Sequence, residues 1–218
     1  MNNNIYSKKN FFFLTILSIV FTILFFNEQV AVRGGLIISG EVLYQDDVSP
    51  LKYYFLNSWT LLTQLTAILF KLGFDSHLVS FILIFLLNLI LFYSCLMIFE
   101  RFIENITLSI FLSCLLIFFQ KNLGDTDYPS LIFTIHTFGA FAQALTGLVV
   151  ASLLMNNLKL SFLLSFILFC VHPLVGLWVL LTLIFFSLFQ KKIKTFNKFL
   201  EILFPGLLLT IISLIFFF

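Results

Sequence analysis

Charge is scarce in this sequence. Asp, Glu, Lys and Arg together make up 10% of the 218 residues, against about 25% in an average soluble domain. That excludes a fold whose whole surface faces water. The net charge is only +2, so there is no general basic surface for nucleic acid. Cysteine is equally sparse. Cys95, Cys114 and Cys170 all fall inside apolar runs, without Cys-x-x-Cys spacing or an adjoining His, so neither a disulfide framework nor a zinc site is supported and inert buried thiols are expected. There is no internal repeat and no segment composed like a soluble domain.

What the chain has in quantity is apolar length. Hydrophobic residues reach 61% and the mean hydropathy is +1.13, gathered into runs of about the 20 residues that cross a hydrocarbon core of roughly 30 Å. The 32 phenylalanines fit a low-GC coding bias and carry no functional weight. The expected fold is all-α: one domain over residues 1–218, a polytopic transmembrane bundle of about seven membrane helices with an additional helix lying in the membrane interface. Apolar length and stop signals place the membrane helices near 10–26, 77–99, 105–120, 136–155, 159–171, 173–190 and 199–218. The first run follows Lys8 and Lys9, as a signal peptide would, but it exceeds the usual h-region and no small-residue cleavage site follows before Arg33, so an uncleaved anchor is expected. The last residues, Leu214 to Phe218, are all apolar, which reads as a chain cut before its natural carboxyl end.

Two segments need argument. From Asn57 to Leu72, Thr60, Thr63, Gln64 and Lys71 recur on one helical face, while Trp59, Leu62, Leu65, Leu69 and Leu72 fall on the other. Such a stripe suits a helix in the interface plane. From Lys159 to Gln190 a single helix would be about 48 Å long at 1.5 Å per residue, too long for one ordinary span. His172-Pro173 interrupts it, and Pro is well placed at the first position of a new helix, so two helices joined by a tight turn are expected, the first of them short.

These choices set the side of every later segment. With the amino terminus in the cytoplasm, Lys8, Lys9, Arg101, Lys159, Lys191, Lys192, Lys194 and Lys198 lie inside, eight of the twelve basic residues. Glu28, Glu41, Asp46, Asp47, Asp75, Asp125 and Asp127 lie outside with His77, His136 and His172. The positive-inside bias therefore favours this arrangement in the inner (plasma) membrane. Letting Asn57–Leu72 span, or making Lys159–Gln190 one helix, would put the lysine cluster outside; the two changes together would cancel.

The outer segments hold the polar residues that can do chemistry. In the long loop after the first helix, Asp46-Asp47 precede Pro50 and a surface-seeking run of Tyr53, Tyr54, Phe55 and Trp59. A carboxylate held there can accept a proton from a sugar hydroxyl as general base; the same pair also reads as ordinary loop acids beside a helix start. Gly124-Asp125-Thr126-Asp127-Tyr128-Pro129 contains Asp-x-Asp, which can hold a divalent cation that in turn holds a phosphate, or can simply form a turn. His136 and His172, at outer helix ends, can bind a phosphate or cap their helices. Within the apolar runs, Asn88 and Gln143 stand out. Gln143 shares its run with Gly139, Ala140, Ala144, Gly147 and Ala151, so that helix is expected to be central and closely packed, with Gln143 bonding to a neighbouring helix.

The order of these features resembles the GT-C superfamily of integral membrane glycosyltransferases, which take a sugar from a polyprenyl-phosphate carrier. In that superfamily a first helix leads to a long acidic outer loop, then to helices lying on the membrane, then to further spans with a second acidic loop. Asp46-Asp47, Asn57–Leu72, and Asp125 with Asp127 stand at the matching places, and Phe138-Gly139-Ala140-Phe141-Ala142-Gln143-Ala144-Leu145 and His172-Pro173-Leu174-Val175-Gly176-Leu177-Trp178 look like stretches of bacterial members. The resemblance covers most of the chain through feature order and short motifs, and the carboxyl-terminal periplasmic domain of many members has no counterpart. It implies inverting displacement at the anomeric carbon, with Asp46 or Asp47 activating the acceptor hydroxyl. Glu41, Arg33, Lys52, Lys121, His136 and His172 become candidates for holding substrate or the leaving lipid phosphate, with or without a divalent cation at Asp125 and Asp127.

Two other classes compete. A transporter or flippase would use Asn88, Gln143 and His172 along a polar path, and a non-catalytic membrane subunit would tolerate alanine in both acidic loops.

Overall fold

The computed structural model describes residues 8–25, 39–40, 53, 57, 60–118, 138–190 and 196–217. Among them there are eight helices and no strand: α1 (Lys8–Phe25), α2 (Leu61–Lys71), α3 (Ser76–Phe102), α4 (Ile106–Phe118), α5 (Phe138–Leu154), α6 (Leu158–Val171), α7 (Pro173–Phe189) and α8 (Phe196–Phe217). The all-α expectation holds, and the expected helices are found within a few residues of their expected ends. One of them, α3, is long and apolar enough to cross a membrane on length and composition.

The α2–α3, α3–α4, α5–α6 and α6–α7 connections are short because residues that cap one helix stand next to residues that start the following one. At the end of α2, Gly73 takes φ +87°, Phe74 N–H bonds to Leu69 O at 3.2 Å and Gly73 N–H to Phe70 O at 2.8 Å. This left-handed cap closes the carbonyls that a helix end leaves open. Asp75 then caps α3 by accepting from Leu78 N–H at 2.6 Å. The α5–α6 turn repeats the device with asparagine. Asn156 takes φ 59°, Asn157 N–H bonds to Ser152 O at 3.0 Å, and the Asn157 side chain accepts from Leu160 N–H to start α6. Asn105 caps α4 in the same way through Leu108 N–H.

At His172-Pro173 the chain folds back on itself. A Cβ at Gly176 would lie 2.2 Å from the Phe169 Cα, an approach only a hairpin of two helices allows. The stretch Lys159–Gln190 is thus two helices, as its length demanded. The first, α6, has 14 residues and spans about 21 Å. Further on, α8 returns beside α6 in the same direction: Lys159 pairs with Glu201, the Phe166 ring occupies the space over Gly206, and Cys170 lies 3.9 Å from the Thr210 hydroxyl. These three pairs, at nearly constant sequence separation, put the starts of α6 and α8 and the end of α7 at one end of the bundle. The start of α5 and the His172 turn lie at the other.

The core is built from α3, α5 and α6, with Ile84, Leu87, Phe92, Leu96, Ala144, Ala151, Phe162 and Leu168 buried. Small residues let α3 and α5 meet closely; a Cβ on Gly147 would stand 3.1 Å from the Ser94 hydroxyl. α1 packs on α3, where the Phe21 and Phe92 rings meet edge to face with centroids 5.0 Å apart.

Two expectations about faces need correction. Thr63 does not lie on a water-facing side of α2: it is buried along with Thr66, Ala67 and Phe70, while Leu65, Ile68 and Leu72 point outward. The threonines can turn inward because their hydroxyls are bonded locally, Thr66 to Thr63 O at 2.8 Å and Thr60 to Thr63 at 2.7 Å. Gln143, expected to bond to a neighbouring helix, is exposed on the outward side of α5, because Ala140, Ala144, Val149 and Ala151 take the inward positions.

Candidate functional site

Of the residues singled out for chemistry, His172 is within the described part. Arg33, Glu41, Asp46, Asp47 and Lys52 in the first outer segment, and Asp125, Asp127 and His136 before α5, lie outside the described residues, as does Lys121.

His172 is the half-buried hinge of the α6–α7 hairpin. Its amide closes α6 by bonding to Leu168 O at 2.7 Å, and its Nδ1 accepts the Val175 N–H at a long 3.5 Å, capping α7. A neutral imidazole that accepts at Nδ1 carries its proton on Nε2, so the ring presents a donor away from the helix start. The two readings of His172, cap and donor to an oxyanion, are therefore compatible in one tautomer. The start of α5 lies at this same end, since the Asn156–Asn157 turn sets α5 antiparallel to α6.

The polar groups inside the bundle are satisfied mostly by their own helices. Ser18 donates to Leu14 O at 2.8 Å, Thr22 to Ser18 O at 2.7 Å, Ser165 to Ser161 O and Ser187 to Leu183 O at 2.7 Å each. Besides the Cys170–Thr210 contact between α6 and α8, two hydroxyl or amide contacts among the described residues cross between helices. Asn88 donates through Nδ2 to Thr22 Oγ1 at 3.0 Å, tying α3 to α1, and the Ser152 and Ser161 hydroxyls meet at 2.7 Å across the α5–α6 turn. Asn88 stands out in the sequence, but its partner does not. The signal was present in the Ser18, Thr22 spacing of four, which puts two hydroxyls on one face of an otherwise apolar helix.

Among the described residues, Asn88, Gln143 and His172 do not come together in one place. Asn88 is sealed at 0% exposure between α1 and α3, whereas Gln143 faces outward from α5. Among the described residues no three His, Cys, Asp or Glu side chains gather as a metal site; Asp125 and Asp127 fall outside that set. No family model, no curated protein and no solved structure matches this chain.

Proposed function

We propose that this chain is a polytopic protein of the plasma membrane, and that it works there as a GT-C-like glycosyltransferase module, moving a sugar from a polyprenyl-phosphate donor to an envelope acceptor on the outer face. The observation that carries the membrane reading is the distribution of side chains. Ser18, Thr22, Ser80, Asn88, Ser94, Ser161 and Ser165 are buried, while the outward faces carry Phe12 and Ile23 on α1, Phe111 on α4, Trp178 and Phe185 on α7, and Phe204 and Ile215 on α8. Water would penalise so many exposed large apolar side chains, and lipid accepts them. Helices shorter than the hydrocarbon thickness, such as α6 and α7, can be accommodated by thinning of the bilayer and by lysines at their ends.

The catalytic half of the proposal draws on the order of features. A first helix is followed by the acidic segment with Asp46 and Asp47, then by α2. At 11 residues, α2 is about 16 Å long, half a bilayer, and it turns Leu65, Ile68 and Leu72 outward as an in-plane helix does. In this reading one of the two aspartates removes the acceptor proton, and cationic groups with the His172 Nε2–H stabilise the phosphate as its bond to the sugar breaks. The transporter reading has less support, since the polar residues it needs do not share a path.

The test is transfer from a polyprenyl-phosphate-linked sugar in membranes containing the full chain. Asp46→Asn or Asp47→Asn is expected to lower the rate by at least about a hundredfold, the range for loss of a general base. Full activity in both single variants and in the double variant would remove the catalytic proposal and leave the membrane reading intact.

A further inference from the structure

The outward face of α5 differs from the other outward faces of the bundle. α1, α4, α7 and α8 all present large apolar side chains, whereas Val150 is the single large apolar residue that α5 exposes among the described residues. Its other exposed positions are Gly139 and Gln143. With Thr146, half-buried and bonded to its own helix through Ala142 O, they form the series 139, 143, 146, 150, a 4-3-4 spacing that keeps to one seam of a left-handed helix pair. Gln143 stands five residues inside α5, about 7.5 Å along the axis, where hydrocarbon offers its carboxamide neither donor nor acceptor.

We propose that this face is a homodimer interface, covered by α5 of a second copy of the chain. The inference rests on the multi-span reading and is independent of the glycosyltransferase. A carboxamide has both a donor and an acceptor, so two Gln143 side chains related by a two-fold axis satisfy each other, as an isologous contact requires. Gly139, one turn earlier, lets the two backbones approach, and helices in lipid associate through small residues and interhelical hydrogen bonds. A lipid phosphate supplies acceptors alone and lies at the surface, above the level of Gln143.

The experiment uses the full chain with Cys95, Cys114 and Cys170 replaced by Ala, in native membranes and in liposomes. Gln143→Cys and Val150→Cys are each treated with a short thiol crosslinker, beside Leu177→Cys on the outward face of α7. Covalent dimers are expected from the α5 positions and not from position 177. With native Gln143, single-molecule photobleaching in liposomes is expected to show two-step traces, and Gln143→Leu to weaken self-association about tenfold. One-step traces at every protein density, or equal crosslinking at 143 and 177, would overturn the dimer and leave the multi-span reading standing. Release of the chain from membranes by alkaline carbonate would overturn both.

Discussion

Asn88 on α3 and Thr22 on α1 are joined by a 3.0 Å hydrogen bond between two side chains that are both fully shielded. Among the described residues Asn88 Oδ1 has no partner, and Thr22 is the group seen to keep this carboxamide bonded. Breaking the pair from its two sides should then have unequal effects. Thr22→Val strands the whole carboxamide and is expected to destabilise the fold by about 1 to 2 kcal/mol. Asn88→Leu removes the polar group, while the Thr22 hydroxyl stays bonded to Ser18 O, and is expected to cost less than half as much. Unfolding in bicelles followed by Trp fluorescence reads both, and equal losses would show that the bond is not what matters at this contact.

The hairpin supplies a second test. At Gly176 an added methyl would meet the Phe169 backbone, which cannot rotate away; at Gly206 it would meet the Phe166 ring, which can. Gly176→Ala is expected to destabilise by about 3 kcal/mol and Gly206→Ala by about 1 kcal/mol, the two ends of the usual range for overpacking. The same unfolding assay decides the order. A harmless Gly176→Ala would mean that α6 and α7 are not folded tightly against each other.

The α5–α6 turn depends on two adjacent asparagines with different tasks. Asn156 at φ 59° should accept Gly within about 0.5 kcal/mol. Asn156→Val should cost roughly 1 to 2 kcal/mol, because a β-branched residue is strained in the left-handed region. Asn157→Ala should cost about 1 kcal/mol through loss of the cap on Leu160 N–H. Stability measured for the three variants separates backbone strain from capping.

Most helix positions were legible in the sequence because apolar length, Pro173 and the polar breaks at 72–75, 103–105 and 155–157 leave few alternatives. Side-chain direction was harder to read. For α2, the amphipathic pattern found the helix but put Thr63 toward water. A threonine that satisfies its hydroxyl within its own helix can be buried, and hydropathy alone does not register this. Gln143 was misplaced for a related reason. Alanines and glycines surround it on both sides of α5, so periodicity could not distinguish the inward face from the outward one. Of the candidate chemistry, His172 was readable at its hinge because a proline follows it. The candidate acids Asp46, Asp47, Asp125 and Asp127 lie outside the described residues, and no periodicity in the sequence around them ties a side chain to a neighbour.

A shared outer site requires both acidic segments on one face of the membrane, and impermeant thiol labelling of intact cells measures that sidedness directly. Single cysteines would be placed at positions 46, 75, 125, 159 and 192 of a chain whose native cysteines are replaced. Positions 46, 75 and 125 are expected to react from outside, and 159 and 192 only after the cells are opened. Labelling of 46 and 125 from opposite sides would contradict this, because the two acidic segments could not then serve one site.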